Sequence, residues 1–261
     1  MVFTKIYSQY KNRLFPKVDH IRGTTRLRKI LFRLAHRELE SYEGEPEGVM
    51  SKDWDNLIIL DACRYDTYQK VFGDCEKRVS LGSHSAEFLQ RNFGEGEFED
   101  IVYINGNIHF TDPKMEEHIG KTDIFHEKFD TIMTKWDEEE GTVRPEKITE
   151  DALTAEKLFP EKRKIIHFIQ PHTPFVDNPI EEKGDVYRLA ELGKIPQEEV
   201  QKAYQKNTEI LKEHVEKLAE ELDGKTAVTA DHGELMGEKG LYDHFRNSDA
   251  KGLREVPWDL R

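Results

Sequence analysis

Leu57-Ile58-Ile59-Leu60 runs straight into Asp61, and far downstream Ala227-Val228-Thr229-Ala230 runs into Asp231-His232-Gly233. Each is a short apolar-tending run that stops at an acid, as a buried strand does where it leaves a sheet. In open α/β sheets, ligands bind beyond the carboxyl ends of the strands. Two strand ends about 170 residues apart can therefore meet in space. Asp61, Asp231 and His232 would together form a donor set for a hard-to-borderline divalent ion. The two segments predict an α/β fold with a metal site at one sheet edge.

Further strands are predicted at 101–104 and 164–169, beside 56–60 and 225–230. Helices are predicted at about 65–72, 85–92, 148–158 and 198–222. The last has the clearest pattern: Val200, Tyr204, Ile210, Leu211, Val215 and Leu218 form an apolar stripe, and Gly224 follows its end. Strands separated by helices favour a doubly wound, mainly parallel sheet with helices on both faces. Residues 106–147 and 173–197 are charged and without clear period. They are expected to be irregular insertions that shape a substrate pocket.

The chain has 261 residues, a formal charge of −13, and 36% hydrophobic against 35% charged residues. Residues 1–37 hold ten Lys or Arg and a single acid, Asp19, so the remainder is strongly acidic. An acidic body argues against general nucleic-acid binding, which needs a basic face. The basic stretch over 1–40 has helical apolar spacing at Leu27, Ile30, Leu31 and Leu34. It is expected to pack on its own domain, with peripheral contact to an anionic membrane as the alternative. The segment 43–48 then reads as a linker or loop, and the chain divides into the basic segment over 1–40 and a domain over 41–261. Cys63 and Cys75 are the only cysteines and form no disulfide framework. No apolar leader and no membrane-length span is visible, so a cytoplasmic location is expected.

Several residues near the predicted strand ends can carry chemistry. Arg64 could clamp an oxyanion through its planar fork, or pair with Asp66. Ser83-His84-Ser85 precedes a helix, where a hydroxyl is first of all a cap. Backbone N–H groups and the helix dipole also favour an anion there, and a metal-activated serine could act as nucleophile. Ser83 is preferred, with Ser85 close behind. His167 lies among apolar residues and reads as a core histidine. His172, between Pro171 and Pro174, sits at the same edge as Asp61. His244 follows the Asp231-His232 pair by about a dozen residues.

Taken together, these segments resemble the alkaline phosphatase/arylsulfatase superfamily. Asp61-Ala62-Cys63-Arg64-Tyr65-Asp66 stands where sulfatase-type members carry Asp-Asp-Leu-Arg-Tyr-Asp, and Pro171-His172-Thr173-Pro174 matches their Pro-His-x-Pro loop. Asp231-His232-Gly233-Glu234, then Gly237, Gly240, Asp243-His244 and Glu255-Val256-Pro257, follow in the same order. The Gly82-Ser83-His84-Ser85 segment is similar to that of archaeal sulfatase-like proteins.

The resemblance spans residues 54–258 and implies a metal held by Asp61, Asp231, His232 and a hydroxyl nucleophile. Arg64, His172 and His244 would bind non-bridging oxygens or protonate the leaving group. The implied substrates are phosphate esters, including glycan or lipid head groups, with sulfate esters as the alternative. A non-catalytic binder of phosphorylated or sulfated glycans is a further alternative. The Cys/Ser-x-Pro-Ser-Arg segment of true sulfatases is absent. Ala62 replaces an oxygen ligand of the sulfatase calcium site, and Phe168 stands at a second-metal aspartate position. One Mn²⁺, Zn²⁺ or Mg²⁺ is therefore expected rather than Ca²⁺. This fits the lipoteichoic-acid-synthase and phosphoethanolamine-transferase branch. A truncated C-terminal part is expected after Pro257.

Overall fold

The computed structural model describes residues 35–177, 180 and 185–261. Its centre is a seven-stranded sheet in the order β2-β9-β6-β1-β5-β3-β4. In chain order these strands are β1 (Asn56–Asp61), β2 (Glu76–Val79), β3 (Phe98–Asn105), β4 (Phe125–Phe129), β5 (Arg163–Pro171), β6 (Thr226–Thr229) and β9 (Glu255–Leu260). A hairpin of β7 (Leu235–Glu238) and β8 (Leu241–Asp243) stands apart from it. β1 pairs in parallel with both β5 and β6, and β3 with β4 and β5. Only β9 runs antiparallel, between β2 and β6. This is the mainly parallel, doubly wound sheet expected from the strand and helix alternation.

Alternate residues of β1 face opposite layers, because successive side chains in a strand point to opposite sides. Ile58 and Leu60 join one core, and Leu57 and Ile59 another. The first core receives Tyr68 from α1 (Tyr65–Phe72), Ile148 and Ala152 from α5 (Pro145–Leu158), and Leu211, Val215 and Leu218 from α7 (Gln197–Glu221). The second receives Phe88, Leu89 and Phe93 from α2 (Ser85–Phe93) and Met115 from α3 (Asp112–Ile119). Full burial on both faces explains why β1 reads as an unbroken apolar run.

Two expectations change. Residues 106–147 are not merely irregular: they contain α3, the edge strand β4 and the short helix α4 (Thr131–Thr134). Phe125-His126-Glu127-Lys128-Phe129 has exposed charges at an edge, so composition hides the strand. Residues 173–197 likewise carry α6 (Val186–Glu191). β9 was also invisible, because Pro257 demotes a strand reading. Pro257 lies opposite Lys77 of β2, and its carbonyl still accepts from Thr229 Oγ1 at 2.7 Å.

The basic amphipathic stretch predicted over 1–40 lies outside the described residues up to residue 34. From residue 35 onward the chain packs on the C-terminal segment. Ala35 and Leu39 touch the cluster of Leu235, Leu241, Ala250 and Leu253, and Lys251 N donates to Glu40 O at 2.7 Å. Among the described residues no helix is long and apolar enough to cross a membrane.

Candidate active site

β1 sits between β6 and β5, so three strand ends open onto one edge. They present Asp61 at the end of β1, Asp231 two residues past β6, and His172 one residue past β5. Asn107 arrives two residues past β3. Gly106 lets it cross, because a Cβ there would lie 2.3 Å from His167 O. Gly233 has a similar role, since a Cβ would meet Gly252 O at 2.1 Å and push the Asp-His turn outward.

The turn after Asp61 is built to orient Asp231. The β1–β5 register shifts between Leu60 and Asp61, and Ala62 is left-handed with φ 60°. That conformation costs a residue with a Cβ roughly 1–2 kcal/mol. Tyr204 of α7 holds the turn, donating to Ala62 O at 2.6 Å and accepting from Arg64 N at 2.9 Å. Ala62 N can then donate to Asp231 Oδ1 at 3.0 Å, joined by His232 N at 2.9 Å.

These bonds leave Asp231 Oδ2 without a hydrogen-bond partner, and Asp61 Oδ1 has none either. Both residues are buried. His232 Nδ1 lies 2.7 Å from Gly233 O, which places the ring hydrogen on Nδ1. Nε2 therefore turns its lone pair toward the carboxylates, 3.6 Å from Asp61 Oδ1 and 3.4 Å from Asp231 Oδ2. The donor atoms of Asp61, Asp231 and His232 all lie within 4.8 Å of one another. Orphaned buried carboxylate oxygens are costly. Two of them converging with an imidazole lone pair fit a divalent cation.

The protonation balance agrees. Burial, then the Asp231 carboxylate, pushes the Asp61 carboxyl well above its usual range. Burial acts on Asp231 as well, but His232 and His167 outweigh it and hold that carboxyl below its usual value. A divalent ion between them would allow both to ionise.

The two candidate serines separate cleanly. Ser83 Oγ is 2.7 Å from Phe245 O and 2.9 Å from Glu87 Oε2, and it accepts from Ser248 N at 3.1 Å. It is fully buried and joins the helix start to residues 245–248. The Ser83 hydroxyl, preferred from the sequence, is thus held by Glu87, Phe245 and Ser248. The cap of α2 is His84, whose Nδ1 accepts from Ala86 N at 3.0 Å. Ser85 is thus released from capping. Its Oγ lies 3.2 Å from His232 Nε2 and accepts from Asn107 Nδ2 at 3.0 Å.

Arg64 is likewise held. Its Nε and Nη2 each bond Asp66 at 2.8 Å, and its Nη1 bonds Glu238 Oε1 at 2.6 Å and Glu234 O at 2.7 Å. Four of its five N–H donors are engaged in this way.

An outer layer of side chains covers the carboxylate pocket. The His244 ring lies 4.2 Å from that of His232, tilted to it, and meets that of His172 edge-on at 5.2 Å. His244 Nδ1 lies 3.1 Å from Glu234 Oε1 and 3.3 Å from Asp243 Oδ1. Burial alone would lower the His244 pKa, but Glu234 and Asp243 outweigh it and keep the ring charged. Burial and the neighbouring His244 push His172 down to about 3, so it is neutral.

Sequence reasoning missed three contributors: Asn107, Glu234 as the partner of His244, and His84 as the cap. Asn107 also donates to Asp61 Oδ2 at 2.6 Å. Its one signal was its place just past the predicted strand 101–104, behind a glycine.

No protein-family model matches the chain, and no curated protein matches it. Among solved structures, it is similar to the soluble domain of lipooligosaccharide phosphoethanolamine transferase A from Neisseria meningitidis. The TM-score is 0.54 at 14% identity, covering 78% of this chain and 75% of that one. The integral membrane protein lipooligosaccharide phosphoethanolamine transferase A from the same organism aligns at TM-score 0.56 and 12% identity. That match covers 98% of this chain and 58% of the membrane protein, so the chain spans little more than half of its length. A third match is the C-terminal periplasmic domain of phosphoethanolamine transferase EptC from Campylobacter jejuni. Its TM-score is 0.47 at 12% identity, covering 79% and 78% of the two chains.

The cytoplasmic expectation is withdrawn, because the similar structures include an integral membrane protein. The sheet order, the strand-end site and these alignments show an alkaline phosphatase-like fold.

Proposed function

We propose that this chain is an enzyme that transfers or hydrolyses phosphate esters, with one divalent ion and Ser85 as nucleophile. The carrying observation is the approach of Ser85 Oγ to His232 Nε2, beside the unpaired oxygens of Asp61 and Asp231. Asp61, Asp231 and His232 would hold Mn²⁺, Zn²⁺ or Mg²⁺. Such an ion supplies Lewis-acid polarisation of the ester and lowers the pKa of the nucleophile.

The chain's own groups then divide the work. Ser85 Oγ gives up its proton to solvent and bonds to phosphorus as the ester's alcohol oxygen leaves and takes up a proton, giving a phosphoserine. Water or an acceptor alcohol takes the phosphoryl group and restores the hydroxyl. Asn107 Nδ2 touches both Ser85 and Asp61 and keeps the hydroxyl aimed. His244, charged through Glu234 and Asp243, can bind a non-bridging oxygen or protonate the leaving alcohol. Neutral His172 lies beside it and can accept or position. Phosphate is preferred over sulfate because Ser83-His84-Ser85 replaces the segment that true sulfatases oxidise. A lipid or glycan head group as substrate is supported by the names of the transferases that share the fold. The archaeal sulfatase-like placement rests on motif order alone.

The test is hydrolysis of p-nitrophenyl phosphate, its bis ester and the sulfate with each metal, followed by peptide mass analysis after acid quench. Metal-dependent turnover of a phosphate ester with phosphate on the Ser85 peptide is expected. Absence of turnover with every ester, together with no bound metal, would sink the reading.

A further inference from the structure

We infer that His167 and Tyr103 are positioning residues for the metal centre: His167 backs the metal-facing oxygen of Asp231, and Tyr103 sets the orientation of His167. This rests on the assignment of Asp231 as a ligand and extends it to residues outside the pocket.

His167 lies in β5 opposite Ile59 of β1 and Asn105 of β3, in the middle of the sheet. Its ring packs against Phe110 at 5.2 Å, in surroundings that read as core. A core histidine would have both nitrogens satisfied. Here only one is. Nδ1 lies 2.7 Å from the Tyr103 hydroxyl, and Nε2 has no hydrogen-bond partner. That orphaned Nε2 is 3.9 Å from Asp231 Oδ2, which also lacks a hydrogen-bond partner. Both side chains and Tyr103 are fully buried.

Burial pushes the Tyr103 hydroxyl well up, so it stays protonated and can donate to Nδ1 at 2.7 Å. A ring hydrogen is then carried on Nε2, facing Asp231 Oδ2. The other oxygen, Oδ1, is already held by Ala62 N and His232 N. With Oδ1 anchored in front and an N–H behind Oδ2, the carboxylate has one orientation to present to an ion. Groups that orient ligands in this way tune metal affinity without touching the metal.

The test is calorimetric titration of the metal-stripped protein with Zn²⁺, beside thermal unfolding of the same metal-free samples. The variants are His167→Leu, His167→Gln and Tyr103→Phe. Gln offers an N–H near the position of Nε2, whereas Leu offers none. Zn²⁺ affinity is expected to fall about 10–100-fold in His167→Leu and to recover to within a few-fold in His167→Gln. Tyr103→Phe, which keeps the aromatic packing, is expected to weaken Zn²⁺ several-fold and decides the matter should His167→Leu fail to fold. Unchanged affinity with a lowered metal-free melting temperature would overturn the inference, as would a loss in Leu that Gln does not recover. Absence of Zn²⁺ binding by the wild type would overturn the ligand assignment itself, and the inference with it.

Discussion

The inner pocket and the outer layer of the site each gather carboxylates and imidazoles, yet they differ in how their charges are met. In the inner pocket, Asp61 Oδ1 and Asp231 Oδ2 have no partner. In the outer layer, His172, Glu234, Asp243 and His244 also place donor atoms within 4.8 Å of one another. There, however, His244 pairs with Glu234 and Asp243, and Tyr187 donates to the second Glu234 oxygen at 3.2 Å. Donor spacing alone therefore does not make a metal site. Unsatisfied buried charge calls for a cation from outside, whereas charge already neutralised by an imidazolium does not. The proposed ion therefore belongs to the inner pocket, with the His244 ion pairs above it.

The largest effect should come from the inner pocket. Asp231→Asn is expected to remove bound metal and lower kcat/KM for p-nitrophenyl phosphate by about 10³-fold or more, since metal polarisation contributes several kcal/mol. Metal content by mass spectrometry and initial rates check both parts, and retained metal with retained rate would break the comparison. Ser85→Ala is expected to lose turnover on a similar scale while keeping its metal, because the nucleophile itself is gone. An intermediate effect belongs to the outer layer. His244→Gln should cost about 10²-fold in kcat/KM with wild-type metal content, the scale of one general acid. If it stripped the metal instead, the outer layer would be a second metal site after all.

Smaller effects mark the residues that structure removes from the chemistry. Ser83→Ala leaves Glu87 and the Ser248 N–H short of a partner, so unfolding should cost about 1–3 kcal/mol less. Its kcat should stay within a few-fold of wild type, and a Ser83→Ala enzyme as dead as Ser85→Ala would reverse the assignment. The smallest effect is a control far from the site. Burial lowers the His214 pKa, so the fold binds the neutral ring, with Thr149 Oγ1 at 3.0 Å from Nδ1. Below the ordinary imidazole value the unfolded chain takes up a proton that the fold resists, so stability falls as pH falls. His214→Gln should flatten that acid slope in denaturant melts and leave turnover unchanged.

Much of this architecture is legible in the chain because local patterning carries it. β1 and β5 are covered on both faces and read as apolar runs, and α7 shows its stripe because one side alone is buried. Strands without an unbroken apolar run stay hidden. β4 is an edge strand with exposed charges, and β9 crosses the sheet despite Pro257.

The residue types of the candidate metal site were likewise visible, since acids ending apolar strands are local facts. The choice between Ser83 and Ser85, the withdrawal of Arg64 into ion pairs and the arrival of Asn107 were not. Each depends on which groups the fold brings from another strand, helix or turn: Phe245 for Ser83, His232 for Ser85, Glu238 for Arg64, Asp61 for Asn107. Sequence determined the chemistry on offer at the sheet edge. Tertiary structure decided which atoms remain unpaired there, because hydrogen-bond satisfaction is a property of neighbours in space.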